Sequence, residues 1–180
     1  MPYPTFTSGQ ILTASDMNKV GLWLISTTTL SGTSVNVANC FSSDFENYRI
    51  VMSGITITGA ADVAWRLRAG ATTATGANYQ QQTVSVSGGT SSGIADVNAT
   101  SFRGALSDTT YEGQAVLDIC RPNIADTTTY TFQQFGYFSG AYYFRSGGGL
   151  HTLTTAYDSI NFFTLGTAMS GTARIYGYRN

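Results

Sequence analysis

The sequence predicts an all-β protein: an antiparallel β-sandwich, jelly-roll-like in its connections, with a short N-terminal helix ahead of it. Three observations predict this. From Leu22 onward apolar and polar residues alternate with a period of two, in runs such as DVAWRLRAG and TARIYGYRN. Between the runs stand clusters of Gly, Ser, Thr, Asn and Asp, the residues that make turns. Charged residues form only 11% of the chain, against about 25% in an average domain. The polar surface therefore comes mainly from hydroxyls and amides, which closely packed strands can bury once they are paired. A chain of 180 residues suits one domain with a short extension.

Pro2 and Pro4 keep their neighbours out of the α region, so residues 1–12 read as an extended lead. TASDMNKVG then reads as about two turns of helix. Thr13 is its N-cap, Asp16 completes an acidic capping box at the positive end of the helix dipole, and Gly21 stops it. A helix this short is stable only when docked. Residues 1–21 therefore form an amino-terminal arm and residues 22–180 the sandwich.

WLISTTTL is the first strand, with Trp23 and Ile25 on one face. NYRIVMSGITIT turns Ile50, Met52, Ile55 and Ile57 inward, and a change of phase at Ser53-Gly54 marks a bulge. DVAWRLRAG points Val63, Trp65 and Leu67 inward, Arg66 and Arg68 outward. NYQQQTVSVS and GQAVLDIC are further strands, and GGTSSG (88–93) reads as a flexible loop at the end of the first of these. TTYTFQQFGYF, GGLHTLTTAYD, SINFFTL and TARIYGYR complete about nine or ten strands. In the last of them Ala173, Ile175 and Gly177 share one face, while Arg174, Tyr176 and Tyr178 share the other.

A net charge of −1 leaves no electrostatic footprint for nucleic acid or acidic lipid. The apolar run VGLWLI is far short of the ~20 residues that span a bilayer, so no membrane insertion is expected. MPYPTFTSGQ has neither the basic nor the apolar region of a signal peptide, which points to synthesis in the cytoplasm. Cys40 and Cys120 have no metal-ligand spacing; two buried free thiols are the simplest reading, and a disulfide stays open.

No catalytic residue, metal ligand or cofactor is expected. His151, the single histidine, lies in HTLTT without a nucleophile elbow or zinc pattern, and reads as a surface or satisfied interior residue. GGTSSG lacks the lysine of a phosphate loop. Asp108, Glu112 and Asp118 could supply an acid pair for glycoside cleavage, but nothing in their spacing singles them out. Asp62, Asp126 and Asp158 form no D-x-D-x-D loop and read as turn caps. One stretch stands out: YTFQQFGYFSGAYYF, residues 130–144, holds eight of the 23 aromatic residues. Rings dominate cores and subunit contacts, and tyrosines also present flat faces and hydroxyls to sugars. The glycines of SGAYYFRSGGG suggest a mobile, exposed tip, with Tyr142, Tyr143 and Arg145 as candidate receptor contacts.

The closing segment DSINFFTLGTAMSGTARIYGYRN resembles a carboxyl-terminal signature of small structural proteins of tailed bacteriophages. Its elements are the strand Ile160 to Phe162, the turn Ser170-Gly171-Thr172 and the closing Tyr176-Gly177. FSSDFENYRIVMSGITI and WRLRAGATTATGANY resemble the middle section of the same proteins, and FTSGQILTASDMN resembles a lead common in tail and fibre components. The resemblance implies a virion protein that assembles as a homotrimer, with Tyr176 and Tyr178 at the subunit interface. It also implies docking of the arm on other virion proteins, for which Phe6, Ile11, Leu12, Thr13, Asp16, Met17 and Val20 are the candidate anchoring residues. Three functions remain open: a fibre-like tail appendage that contacts a host surface glycan, a capsid decoration (cement) protein, and a soluble sugar-binding lectin.

Overall fold

The structure is a computed structural model that describes residues 8–9, 21–59 and 61–178. The expected helix and the seven anchoring candidates, Phe6 to Val20, lie outside the described residues. Thirteen strands run through the rest: β1 (Leu22–Gly32), β2 (Ser34–Val37), β3 (Asn47–Ile57), β4 (Ala61–Ala69), β5 (Thr72–Thr73), β6 (Tyr79–Ser87), β7 (Thr90–Ala99), β8 (Phe102–Ser107), β9 (Gly113–Cys120), β10 (Thr128–Phe138), β11 (Ala141–His151), β12 (Ser159–Phe163) and β13 (Met169–Tyr178).

Every pairing is antiparallel. Eight strands form one sheet in the order β1-β13-β3-β9-β10-β11-β6-β7, and β2-β12-β4-β5 form the other, with β8 added beside β4. The pairings are nested: β1 with β13, β2 with β12, β4 with β8 and β3 with β9. A chain doubled back on itself in this way and wrapped into two sheets is a jelly roll. Two hairpins depart from that frame. β6–β7 is inserted between β4 and β8, and β10–β11 between β9 and β12. They pair with each other through β11 and β6, and with the frame through β10 and β9. The larger sheet thereby gains four strands.

Alternation explains the core. Ile50 and Met52 in β3, Val63, Trp65 and Leu67 in β4, Leu117 and Ile119 in β9, and Ala173 and Ile175 in β13 are all buried between the sheets. Trp65 packs on Phe102 at 4.6 Å and edge-on to Tyr130 at 5.0 Å between ring centroids. The bulge expected in β3 is present, with Gly54 at φ 62° and a register shift between Met52 and Ile55. In β9 and β10, Gly113 and Gly136 lie under β8, where any Cβ would collide with the Leu106 carbonyl oxygen. These two positions let β8 cross close to the larger sheet.

Several expectations need correction. GGTSSG is a tight turn followed by a strand: Gly88 and Gly89 have φ of 55° and 80°, as a two-residue hairpin turn requires, and β7 begins at Thr90. SGAYYFRSGGG is likewise no mobile tip. Ser139 and Gly140, at φ 48° and 87°, make the turn, and the rest is β11, bonded to β10 on one side and β6 on the other. In β1 a bulge between Leu24 and Ser26 takes Ile25 out of register with Trp23. Arg68 does not point freely outward; it is buried, with Nη2 donating to the Ala71 carbonyl at 2.8 Å. Asp62 lies within β4 and not at a turn. Both cysteines are free thiols, but only Cys40 is buried and Cys120 is exposed. Burial pushes the Cys40 thiol up to about 12.

Candidate functional site

The two-residue turn at Ser139-Gly140 fixes the register of β10 on β11. Tyr137 faces Tyr142 and Phe135 faces Phe144. Directly paired residues share a face, so these four side chains lie together on the outer face of the larger sheet. Tyr111, from the segment before β9, joins them, with its ring 5.0 Å from that of Tyr137 and 5.8 Å from that of Tyr142. The rings of Phe135 and Tyr142 are nearly parallel and stacked, at 10° and 6.0 Å between centroids. The rings are not covered: Tyr142 is 53% exposed, Tyr111 52%, Phe135 46% and Phe144 43%.

A shallow trough leaves this aromatic end and runs over the sheet. Its near part is lined by Gln114, Val116, Gln133, Phe135 and Phe144. The far part shares Val116 and Gln133 and continues to Arg49, Asp118 and Ser146. There Arg49 grips Asp118 with two bonds of 2.8 Å, while the Tyr178 hydroxyl donates to the same carboxylate at 2.5 Å. Burial alone would raise the Asp118 pKa, but the bonds from Arg49 and Tyr178 outweigh it and hold the carboxyl below its ordinary value. Burial and the adjoining carboxylate push Tyr178 up to about 12. Four residues of strand separate the Asp118 row from the Phe135 row, about 14 Å.

The three predicted contact residues divide between two faces. Tyr142 stands at the centre of the outer cluster. Tyr143 points to the other side, edge-on to Phe138 at 5.8 Å. Arg145 also points there; it is only 8% exposed, lies beside the Tyr143 ring and donates Nη1 to Asp62 at 3.1 Å. Tyr111, Phe135 and Tyr137 were not among the predicted contacts. The Ser-Gly turn between two aromatic runs is the signal for Phe135 and Tyr137, because it sets the pairing. Nothing in the sequence brings Tyr111 to this place.

Tyr176 and Tyr178 are half-buried on the same outer face, and by register Leu24 and Leu22 lie beside them, both exposed. His151 ends β11, fully buried, with Nδ1 3.3 Å from the Tyr157 hydroxyl and its ring against Tyr79. Burial lowers its pKa. Among the carboxylates considered for chemistry, Asp108 accepts from the Thr110 N–H, Asp126 pairs with Arg121, and Asp158 accepts from the Gly70 N–H. Among the described residues no three His, Cys, Asp or Glu side chains gather as metal ligands, and no helix is long and apolar enough to cross a membrane.

No protein-family model matches the chain, and no curated protein matches it. Among solved structures it is similar to the CBM2 module of the evolved Dit of Lactobacillus casei BL23 phage J-1. That similarity stands at 9% identity and a TM-score of 0.25, over 82% of this chain and 69% of that one. A likeness of this size carries no argument.

Proposed function

We propose that the protein is a structural component of a tailed-bacteriophage virion. In this reading it is a fibre-like tail appendage or adhesin, held by residues 1–21 and touching glycan on the host surface with the aromatic end of its larger sheet. The observation that carries the reading is polarity. Leu22, where the arm joins the sheet, pairs with Tyr178 at one end of the strands. Register carries that row through Asn47 and Cys120 to Thr129, and the Tyr137–Tyr142 row lies eight residues further along β10. Attachment and contact would thus sit at opposite ends, roughly 27 Å apart along the strands.

The exposed rings supply the contact chemistry. Flat apolar faces stack on sugar rings, and the hydroxyls of Tyr111, Tyr137 and Tyr142 supply directed hydrogen bonds. The trough beyond them would hold the continuing chain, with Gln114, Gln133 and the Arg49–Asp118 pair as polar partners. The reading is non-catalytic: Asp118, the candidate acid nearest the trough, is bound by Arg49 and Tyr178. A trimer is part of the proposal. Leu22 and Leu24 beside Tyr178 and Tyr176 offer an apolar patch for neighbouring subunits, and sedimentation equilibrium of Leu24→Asp against the parent tests it.

Gold-labelled antibody on intact particles of the source virus tests the location. Label on the tail or its appendages is the expected result; label spread over the head would replace this reading with a capsid decoration protein. Binding of the isolated protein to purified host cell-wall polysaccharide tests the contact. Tyr111→Ser with Tyr142→Ser should abolish binding while the melting temperature stays unchanged. Equal retention by parent and variant would remove the aromatic end from the proposal. A lectin with no virion role would bind the glycan and label no particle.

A further inference from the structure

Arg145 opens onto a second recess, chemically unlike the aromatic end. This cleft has a volume of about 660 Å³ and lies between the inner face of the four added strands and the β4–β8 edge of the smaller sheet. Gln81, Asp96 and Arg145 enter it from the larger sheet, Asp62 and Arg103 from the smaller. Arg103 bridges the two walls: Nε and Nη2 donate to Asp96 at 2.8 and 3.2 Å, and Nη1 to Asp62 at 2.9 Å. Gln81 donates to Asp96 at 2.5 Å, while its carbonyl oxygen accepts from the Tyr130 hydroxyl at 2.6 Å and the Arg103 N–H at 3.1 Å.

Three features turn this lattice from a structural brace into a binding surface. Its charges cancel, two carboxylates against two guanidiniums, so it offers no net field to a free anion or cation. Its groups are fixed by their mutual bonds, yet Asp62, Asp96 and Arg103 keep 21, 25 and 29% of their side-chain surface open. Finally, the space beside them is left unfilled by small residues, Ala61, Ala64 and Ala99. A fold that needed only to close this gap would do as well with packed apolar side chains, because buried ion pairs seldom outdo them in stability. In a chain with 19 charged residues (nine basic and ten acidic), four meet here.

We propose that this cleft binds a small neutral polyhydroxylated ligand, of the size and chemistry of a single pyranose sugar. Each ligand hydroxyl both donates and accepts, so neighbouring hydroxyls match a carboxylate acceptor set beside a guanidinium donor, as Asp96 is beside Arg103. Phe138 at the wall supplies an apolar face for ring carbons. The volume is in the range of small-molecule sites, about 300–1,000 Å³. This inference does not rest on the glycan contact proposed for the outer face.

The test is a nitrogen–proton NMR titration of the full chain, following the side-chain N–H signals of Arg103, Arg145 and Gln81. The probes are glucose, galactose, mannose, rhamnose, N-acetylglucosamine and glycerol, with inorganic phosphate and calcium as ionic counter-probes. At least one neutral probe should shift these signals in a saturable way. Ala64→Trp, which fills the cleft beside Arg103 and removes no charged group, should weaken that binding at least about tenfold, as should Asp96→Asn. Tyr142→Ala should leave it unchanged. Asp96→Asn also decides the matter if the tryptophan variant does not fold. The proposal is overturned if no neutral probe moves the signals, if only phosphate or calcium does, or if binding survives Asp96→Asn at parent strength.

Discussion

Two halves of one sheet differ in the chemistry of the face they turn inward: one is apolar throughout, the other largely polar. In the jelly-roll half, β1, β13, β3 and β9, that face holds Ile50, Met52, Leu117, Ile119, Ala173 and Ile175, all buried and apolar. In the added half, β10, β11, β6 and β7, it holds Gln81, Thr83, Ser85, Gln134 and Arg145, buried and polar, beside a strip of buried rings, Tyr79, Tyr130 and Phe132. The period of two is the same in both. Alternation therefore locates strands without saying what they are for. Apolar inward faces draw the frame together, since burying their surface is what drives folding. The polar residues of the added half's inward face add little of that force and instead arrange donors and acceptors at fixed positions.

The contrast can be broken or sharpened by experiment, beginning with the largest effect. Trp65→Ala removes the frame's largest buried side chain and should cost about 3–5 kcal/mol, read from the denaturation midpoint. An equal loss from Thr83→Ala or Ser85→Ala, on the polar inward face of the added half, would erase the distinction. Asp62→Ala, at the junction, takes the carboxylate partner from Arg145 and leaves Arg103 with Asp96 alone; it should cost about 2–3 kcal/mol, below the full penalty for a buried pair because the site is partly open. Asp62→Asn should cost less.

Acid separates the halves further. His151, in the added half, is buried with its folded pKa lowered, so between that value and the unfolded value of about 6.5 the unfolded chain binds more protons. Stability is then complete above about pH 6.5 and declines as pH falls below it, and His151→Gln should flatten that decline. Asp118, in the frame, works lower down. Its folded pKa is depressed, so its contribution is present above the ordinary carboxylate value of about 4 and is lost as pH falls through the folded value. Tyr178→Phe should reduce this second loss, which is small because the group is a third open to water and screened. Smallest of all, Tyr142→Ala should change stability by no more than about 0.5 kcal/mol. Melting curves of each variant across pH check all three.

The frame was legible in the sequence because its strands alternate cleanly between turn residues. Val63, Trp65 and Leu67 face inward as their spacing dictates, and Gly54 marks the bulge in β3. The added half was legible only in part, because a cluster of glycines reads as a sign of mobility. Within β11, Gly147 and Gly149 are instead close-packing positions: a Cβ at either would collide with the Gln82 or Gln80 carbonyl oxygen. The same period of two separates Tyr142 from Tyr143 and Arg145, but a segment read as a loop falls outside that rule. Tyr111 and the meeting of Asp62, Asp96, Arg103 and Arg145 depend on contacts between segments far apart in the chain, which no local pattern encodes.

The pairing of β1 with β13 has a mechanical consequence. Leu22 and Tyr178 are neighbours at the same end of an antiparallel ladder. A force applied between those two points would peel the ladder open one pair at a time, and the resistance would be low. A force applied between Leu22 and the far aromatic end would cross the sheet diagonally, and its component along the strands would load many backbone hydrogen bonds at once in shear. The molecule should therefore be weak when pulled at Leu22 and Tyr178 and strong when held at Leu22 and tugged at Tyr142, the direction of load that the proposed attachment would impose.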